Sequence, residues 1–88
     1  MLAAYSNPAR VRSIARKLHL PPVLPSTRKT KKYMLQHGNR WIHFGQMGYQ
    51  DFTKHRDLAR RTRFRHRNRS WATAPKYSAA WLAYHVLW

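Results

Sequence analysis

The stretch KYMLQHGNRWIHFG, residues 32–45, decides the fold. Two short apolar segments flank Gly38-Asn39, a dipeptide suited to a two-residue type II′ turn, so the stretch predicts a β-hairpin. Pairing His37 with Arg40 sets a register that brings four apolar side chains together, those of Tyr33, Leu35, Ile42 and Phe44. A one-residue shift would scatter this set. Two strands alone are marginally stable, so we expect another element, or a protein neighbour, to cover this face.

The opposite face of the predicted hairpin is mixed and suits a partner or solvent. It carries Lys32, Met34, Gln36, Trp41 and His43.

Helices are predicted on both sides of the hairpin. Asn7 can cap a helix over 7–20 with Pro8 at its first position, and apolar residues recur on one face at Val11, Ile14, Ala15 and Leu18. The PPVLP stretch at 21–25 ends this amphipathic helix and continues extended. Asp57 can cap a second, arginine-rich helix over 57–68.

A third helix is predicted over 76–88, opened by Pro75. Aromatic residues at helical spacing share one narrow face of it, and such a stripe is typical of a packed surface: Tyr77, Trp81, Tyr84 and Trp88. The prediction is therefore an α+β fold with one small domain. Residues 1–25 form an N-terminal helical extension and Pro-rich linker, and 26–88 form the basic α+β domain. We expect the apolar hairpin face and the aromatic stripe to dock against each other or against a protein neighbour.

The charge of the chain indicates a polyanionic partner. Lys and Arg number 18 against two acidic residues, which gives a formal net charge of +16. Such a field attracts nucleic acid, an anionic membrane surface or an acidic protein patch. The candidate nucleic-acid contacts lie in a basic linker and an arginine run: Arg28, Lys29, Lys31, Lys32, Arg60, Arg61, Arg63, Arg65, Arg67 and Arg69.

Guanidinium groups make bidentate contacts to phosphate and stack on bases, so the arginine run favours nucleic acid. The alternatives for the same run are a solvated basic face and a contact to an acidic protein.

The chain offers little for catalysis, so we expect it not to be an enzyme. The two carboxylates, Asp51 and Asp57, are six residues apart, the histidines are scattered, and there is no Cys. We predict no metal site, no cofactor and no membrane span, because no apolar run approaches the ~18 residues that a span requires. The Arg-rich residues 1–20 are also compatible with an organellar transit peptide.

Several motifs resemble a known family. They are STRKTKKYM, then IHFGQMGYQDFTKHRD, then RR and RHR in the arginine run, then a tryptophan-containing tail that ends LW. Together they are similar to a family of small uncharacterised basic proteins encoded by large DNA viruses of algae and protists and by related viruses. The resemblance covers residues 26 to 88, and its most specific part is 43–57. Leu58 stands where the family often has Pro.

The resemblance implies a non-enzymatic structural protein of a virus particle, either a minor capsid or a genome-associated component. Its partners would be nucleic acid, DNA in preference to RNA, and acidic faces of capsid proteins, and it would be located in the virion. The alternative is an RNA-binding component of a ribosome or of an organellar ribonucleoprotein, because such proteins share small size and high charge. A sequence-specific transcription factor is disfavoured by the spread of arginines around the helix at 57–68.

Overall fold

A computed structural model describes residues 2–88 as an α+β domain with four helices and a three-stranded antiparallel sheet, which confirms the predicted fold class. The helices are α1 (Pro8–Lys17), α2 (Phe52–His55), α3 (Leu58–Arg67) and α4 (Ala79–Leu82). The strands are β1 (Leu24–Pro25), β2 (Lys31–His37) and β3 (Arg40–Gln46). Short 3-10 helices occupy Leu2–Ala4 and Arg69–Thr73. A π-helical turn, Ala83–Leu87, continues α4, and the two together, residues 79–87, are called the C-terminal helix below.

The hairpin register is the predicted one. Tyr33 faces Phe44, Leu35 faces Ile42 and His37 faces Arg40. Gly38 has φ +63°, whereas Asn39 keeps a negative φ, and this combination matches the type II′ turn. The extended stretch after α1 contributes a third strand that was not predicted, with Leu24 opposite Met34 on β2.

One core lies between the sheet, α1 and the C-terminal helix. The hairpin supplies Tyr33, Leu35 and Phe44, each at most 2% exposed, while Ile42 is half-buried at the edge. The other two elements close the core with Val11, Ala15, Leu82, Val86 and Leu87. The apolar face of the hairpin is therefore covered within the chain, so its buried side chains are not free to dock on another protein.

The N-terminal segment is built into this core. Asn7 caps α1 by accepting a hydrogen bond from the Arg10 amide at 3.2 Å, as predicted. Val11 and Ala15 are 0% and 3% exposed against the rest of the domain, and β1 pairs with β2. The division into an extension at 1–25 and a domain at 26–88 therefore does not describe the structure, because both segments share one core.

The C-terminal helix differs from the prediction in its start and in its buried face. It begins at Ala79, where the Ser78 side chain accepts a hydrogen bond from the Trp81 amide. Tyr77 lies before the helix with φ +71° and stacks on His37 at 3.8 Å. The aliphatic face carrying Leu82 and Val86 is the core face, and Trp81, Tyr84 and Trp88 are half-buried beside it. The aromatic stripe is displaced because the helix starts late and widens into a π turn.

Two further findings concern residues 2–88 as the structure describes them. None of their helices is long and apolar enough to cross a membrane. Within the same residues, no group of three or more His, Asp or Glu side chains is placed to hold a metal ion.

Candidate nucleic-acid interface

The arginine run forms α3, and its start is fixed by Asp57. The Asp57 Oδ1 atom accepts hydrogen bonds from the amides of Ala59 and Arg60 at 3.0 and 3.2 Å, as expected of an N-cap. The hydrogen bond from the Arg60 amide is the main reason that the pKa of Asp57 lies below its usual value. The cap fixes the residue at which α3 begins, and the packing of the helix then decides which arginines face outward.

One row of arginines on α3 faces an open groove. Arg60, Arg63 and Arg67 are exposed and recur at i, i+3 and i+7, so they share one side of the helix. Together with Lys31 they line a groove of about 600 Å³ between α3, the base of the hairpin, the loop at 47–50 and the C-terminal helix. This groove is called the basic groove below. Its volume lies in the range of about 300–1,000 Å³ typical of ligand sites.

Aromatic rings line the groove beside the arginines. Phe64 and Trp88 are stacked with centroids 4.2 Å apart and planes 6° from parallel. Trp71, from the 3-10 helix, meets Phe64 edge-on at 5.8 Å and 78°. Tyr49 lies in the loop that follows β3, also lines the groove and is 68% exposed. The basic groove thus combines cationic side chains with aromatic surface.

Two arginines of the run, Arg61 and Arg65, make contacts within the chain instead of facing the groove. The Arg61 Nε atom donates a hydrogen bond to the Trp88 carbonyl oxygen at 2.6 Å, and its guanidinium lies 4.7 Å from the ring centroid of Phe52. Arg65 lies 4.9 Å from the ring centroid of Tyr84. Burial and the neighbouring arginines, Arg65 first, lower the pKa of Arg61. Arg61 and Arg65 were predicted as nucleic-acid contacts, but the structure turns them towards the C-terminal helix.

Lys32 was predicted as a nucleic-acid contact on the open face of the hairpin, and the structure corrects this. Its side chain is 3% exposed, and Nζ donates to Asp51 Oδ2 at 3.2 Å. Desolvation lowers the pKa of Lys32, and the charge and hydrogen bond of Asp51 oppose that shift. The loop after β3 folds over this part of the strand and removes Lys32 from solvent, so its charge is used within the chain.

The ion pair belongs to a buried polar network. Thr53 Oγ1 donates to Asp51 Oδ1 and is itself hydrogen-bonded to Ser6 Oγ at 3.1 Å. The Tyr33 hydroxyl donates to Ser6 Oγ at 2.7 Å, and burial is the main reason that the pKa of Tyr33 is raised to about 12. This network joins the N-terminal segment, the hairpin, Asp51 at the end of the loop and Thr53 of α2 in one place.

The remaining predicted contacts lie elsewhere. Arg28 and Lys29 are exposed in the loop before β2, where the Arg28 amide donates to Ser26 Oγ, and they do not line the groove. Arg69 is exposed beyond α3, and its guanidinium donates to the His66 carbonyl. Of the seven predicted nucleic-acid contacts that were not reassigned above, four meet at the groove: Lys31, Arg60, Arg63 and Arg67.

The groove also contains residues that were not predicted. Tyr49, Trp71, Gln46 and Gln50 line it, although only Trp71 follows the arginine run closely in sequence. The high aromatic content of the chain was the one signal for them, because neither Tyr49 nor Trp71 belongs to a periodic pattern.

Neither acidic side chain lines the basic groove. Asp51 is fully buried against Lys32, and Asp57 is occupied by its capping hydrogen bonds. The Asp57 carboxylate interacts with the charge of Arg63 from the start of α3, so it offsets the positive potential of the arginine row only in part.

Comparison with known proteins identifies a family for this chain. No curated protein and no solved structure matches the chain. The model of one protein family, described as a family of unknown function (DUF5754), matches residues 22–68, which is just over half of the chain. The matched part runs from the residues before β1 to the end of α3, and so includes the hairpin, the Lys32–Asp51 pair and the arginine row. The chain therefore belongs to the DUF5754 family.

Proposed function

We propose that this protein is a non-enzymatic nucleic-acid-binding component of a larger assembly, and that the basic groove is its binding site. The observation that carries the proposal is the row of Arg60, Arg63 and Arg67 beside stacked aromatic rings in a groove without carboxylates. Arginine is well suited to phosphate because its planar fork of donors matches the phosphate oxygens.

The mode of binding follows from these side chains. Arginines that contact phosphates fix position and supply affinity, but they carry little sequence information. The groove should therefore bind many sequences with similar affinity, and its affinity should fall steeply as salt rises because condensed counterions are released on binding.

The assembly that we propose is a virus particle, in which the protein is a minor capsid or genome-associated component. This part rests on the sequence resemblance of residues 26 to 88 and on the charge of +16, which suits an acidic capsid surface or a packaged genome. Mass spectrometry of purified particles tests it, and absence of the protein from intact particles would contradict it. Co-sedimentation with ribosomal subunits would instead identify a ribosomal component.

A second surface is available for a neighbour in such an assembly. The face of the sheet that points away from the core carries Leu24 and Trp41, which are 43% and 46% exposed. Met34 and His43, which are paired across β2 and β3, lie on the same face. We place the protein-docking surface here, because three of the four hairpin residues predicted for docking, Tyr33, Leu35 and Phe44, are buried in the core.

The experiment that tests the binding function is a salt series with labelled DNA and RNA. We expect binding to both polymers at low salt, with a linear fall of log affinity against log salt concentration. Salt-insensitive binding, or no binding to either polymer, would contradict the proposal and leave an acidic protein surface as the partner.

A further inference from the structure

We propose that the basic groove takes single-stranded nucleic acid and that Tyr49 is the residue on which an unpaired base stacks. This inference rests on the proposed nucleic-acid function and deepens it. Tyr49 is 68% exposed, the largest exposure among the large apolar side chains that are exposed in residues 2–88. It stands at the groove in the loop after β3, where Gly48 has φ +98°.

The exposure of Tyr49 is informative because aromatic rings usually bury much of their surface. The other rings at the groove already contact one another: Phe64 is stacked on Trp88 and forms a T-shaped pair with Trp71. Tyr49 makes no ring contact of this kind with any aromatic residue of the described chain, so its ring surface is not already used by another ring.

Charge and geometry identify the ligand. Over the seven residue steps from Arg60 to Arg67 an α-helix rises by about 10 Å, so the row can contact the backbone of a short run of nucleotides. Bases inside a duplex are stacked on each other and cannot reach a side-chain ring, whereas the bases of a single strand can. A basic row beside an open aromatic ring is the combination found in single-strand-binding grooves.

The test compares strand state and ring chemistry in the full chain. Fluorescence anisotropy would measure binding of a labelled oligo-dT of about 16 nucleotides, its RNA counterpart oligo-U, and a duplex of the same length at one salt concentration. We expect either single strand to bind at least about tenfold more tightly than the duplex. The two single strands then show whether the site prefers DNA or RNA.

The variants test the ring itself. Tyr49→Leu should weaken single-strand binding by about tenfold, Tyr49→Phe should keep it, and duplex binding should change little in either. Leu58→Ala is the control, because Leu58 is also a large apolar residue, 65% exposed, but does not line the groove. Equal or tighter binding of the duplex, or an unchanged affinity of Tyr49→Leu, would overturn the inference while leaving the proposed function intact. If the wild-type chain bound none of the three probes, both the inference and the proposed function would be overturned.

Discussion

Lys32 Nζ and Asp51 Oδ2 form an ion pair 3.2 Å apart in which the two side chains are 3% and 0% exposed. Removing one partner leaves the other charge buried without compensation, which is far more costly than the loss of a surface pair. We therefore expect Lys32→Met or Asp51→Asn to lower the free energy of unfolding by about 3–5 kcal/mol. Denaturant unfolding followed by circular dichroism measures this.

The double variant tests whether Lys32 and Asp51 stabilise the fold through each other. Lys32→Met combined with Asp51→Asn should cost clearly less than the sum of the single changes, because no charge is then left unpaired. Lys29→Met, at an exposed position, should change stability by no more than about 0.5 kcal/mol. Additive losses in the double variant would show that the two residues stabilise the fold independently.

The arginine row should dominate the electrostatics of binding. Replacing Arg60, Arg63 and Arg67 together by Gln removes three phosphate contacts, so the slope of log affinity against log salt should become shallower by about 2–3. The control removes equal charge from exposed positions on α1, as Arg12→Gln/Arg16→Gln/Lys17→Gln. An equal change of slope in both triple variants would mean that net charge, and not the groove, determines binding.

Arg61 should behave as a residue of the fold. Arg61→Gln loses the hydrogen bond to the Trp88 carbonyl and the contact with the Phe52 ring, and we expect a loss of about 1–3 kcal/mol in the free energy of unfolding. Arg61→Lys should recover only part of this, because a point charge does not reproduce the planar guanidinium. Arg63→Gln, in the exposed row, should leave thermal stability almost unchanged. If the Arg61 and Arg63 variants melted at the same temperature, the division of the helix into two faces would be contradicted.

Gly45 should resist substitution for a reason of space. A Cβ atom at this position would lie 2.7 Å from Leu87 Cδ1 and 3.2 Å from Lys32 Cβ, and the backbone has φ +83°. Gly48 has φ +98° but nothing within 4 Å, so Gly48→Ala carries the backbone cost alone. We expect Gly45→Ala to be more destabilising than Gly48→Ala by about 1–3 kcal/mol in denaturant unfolding. Equal losses of unfolding free energy in the two variants would show that the C-terminal helix shifts to accommodate the added methyl group without a loss of stability.

Stability should fall as the solution is acidified below pH 6.5. Burial lowers the pKa of His55, and the charge of Arg60 lowers it further. Burial likewise lowers the pKa of His43, and the charges of Arg28 and Lys31 add to that shift. In the window between the folded and unfolded pKa values the unfolded chain binds more protons, so stability rises with pH and is lost as pH falls through that window.

A variant and its control test whether His55 causes the loss of stability at low pH. Melting temperatures of His55→Gln measured from pH 7.5 down to pH 5, a span of about 2.5 units around the unfolded pKa, should fall less than those of the wild type. Gln36→Asn, at an exposed position without a titratable group, should keep the wild-type slope. A steeper fall in His55→Gln would reverse the sign that we derive.

The predictable part of the fold is the part that depends on local rules. The Gly38-Asn39 turn and the alternation of apolar residues set the register of the hairpin, and the caps at Asn7 and Asp57 set two helix starts within one residue. The start and the buried face of the C-terminal helix were harder to predict from the sequence, because Tyr77 before the helix and the π turn within it both depart from a regular helical period.

The site was predictable only in part, because several of its residues meet through tertiary contacts. Lys32 and Asp51 are 19 residues apart, and no spacing rule joins them. Tyr49 and Trp71 enter the groove from a loop and a 3-10 helix, neither of which leaves a periodic trace in the sequence. The basic residues themselves were identified, but which of them face the groove depends on how α3 packs.

The meeting of α1 with the C-terminal helix also bears on how the chain folds. The hairpin closes a two-residue loop, and such local structure forms within microseconds. Val11 and Val86 reach the same core from opposite parts of the chain, so their encounter requires the closure of a long loop in a polymer that repels itself through its charge. We expect that encounter to limit the folding rate, and a polyanion that neutralises the unfolded chain to accelerate it.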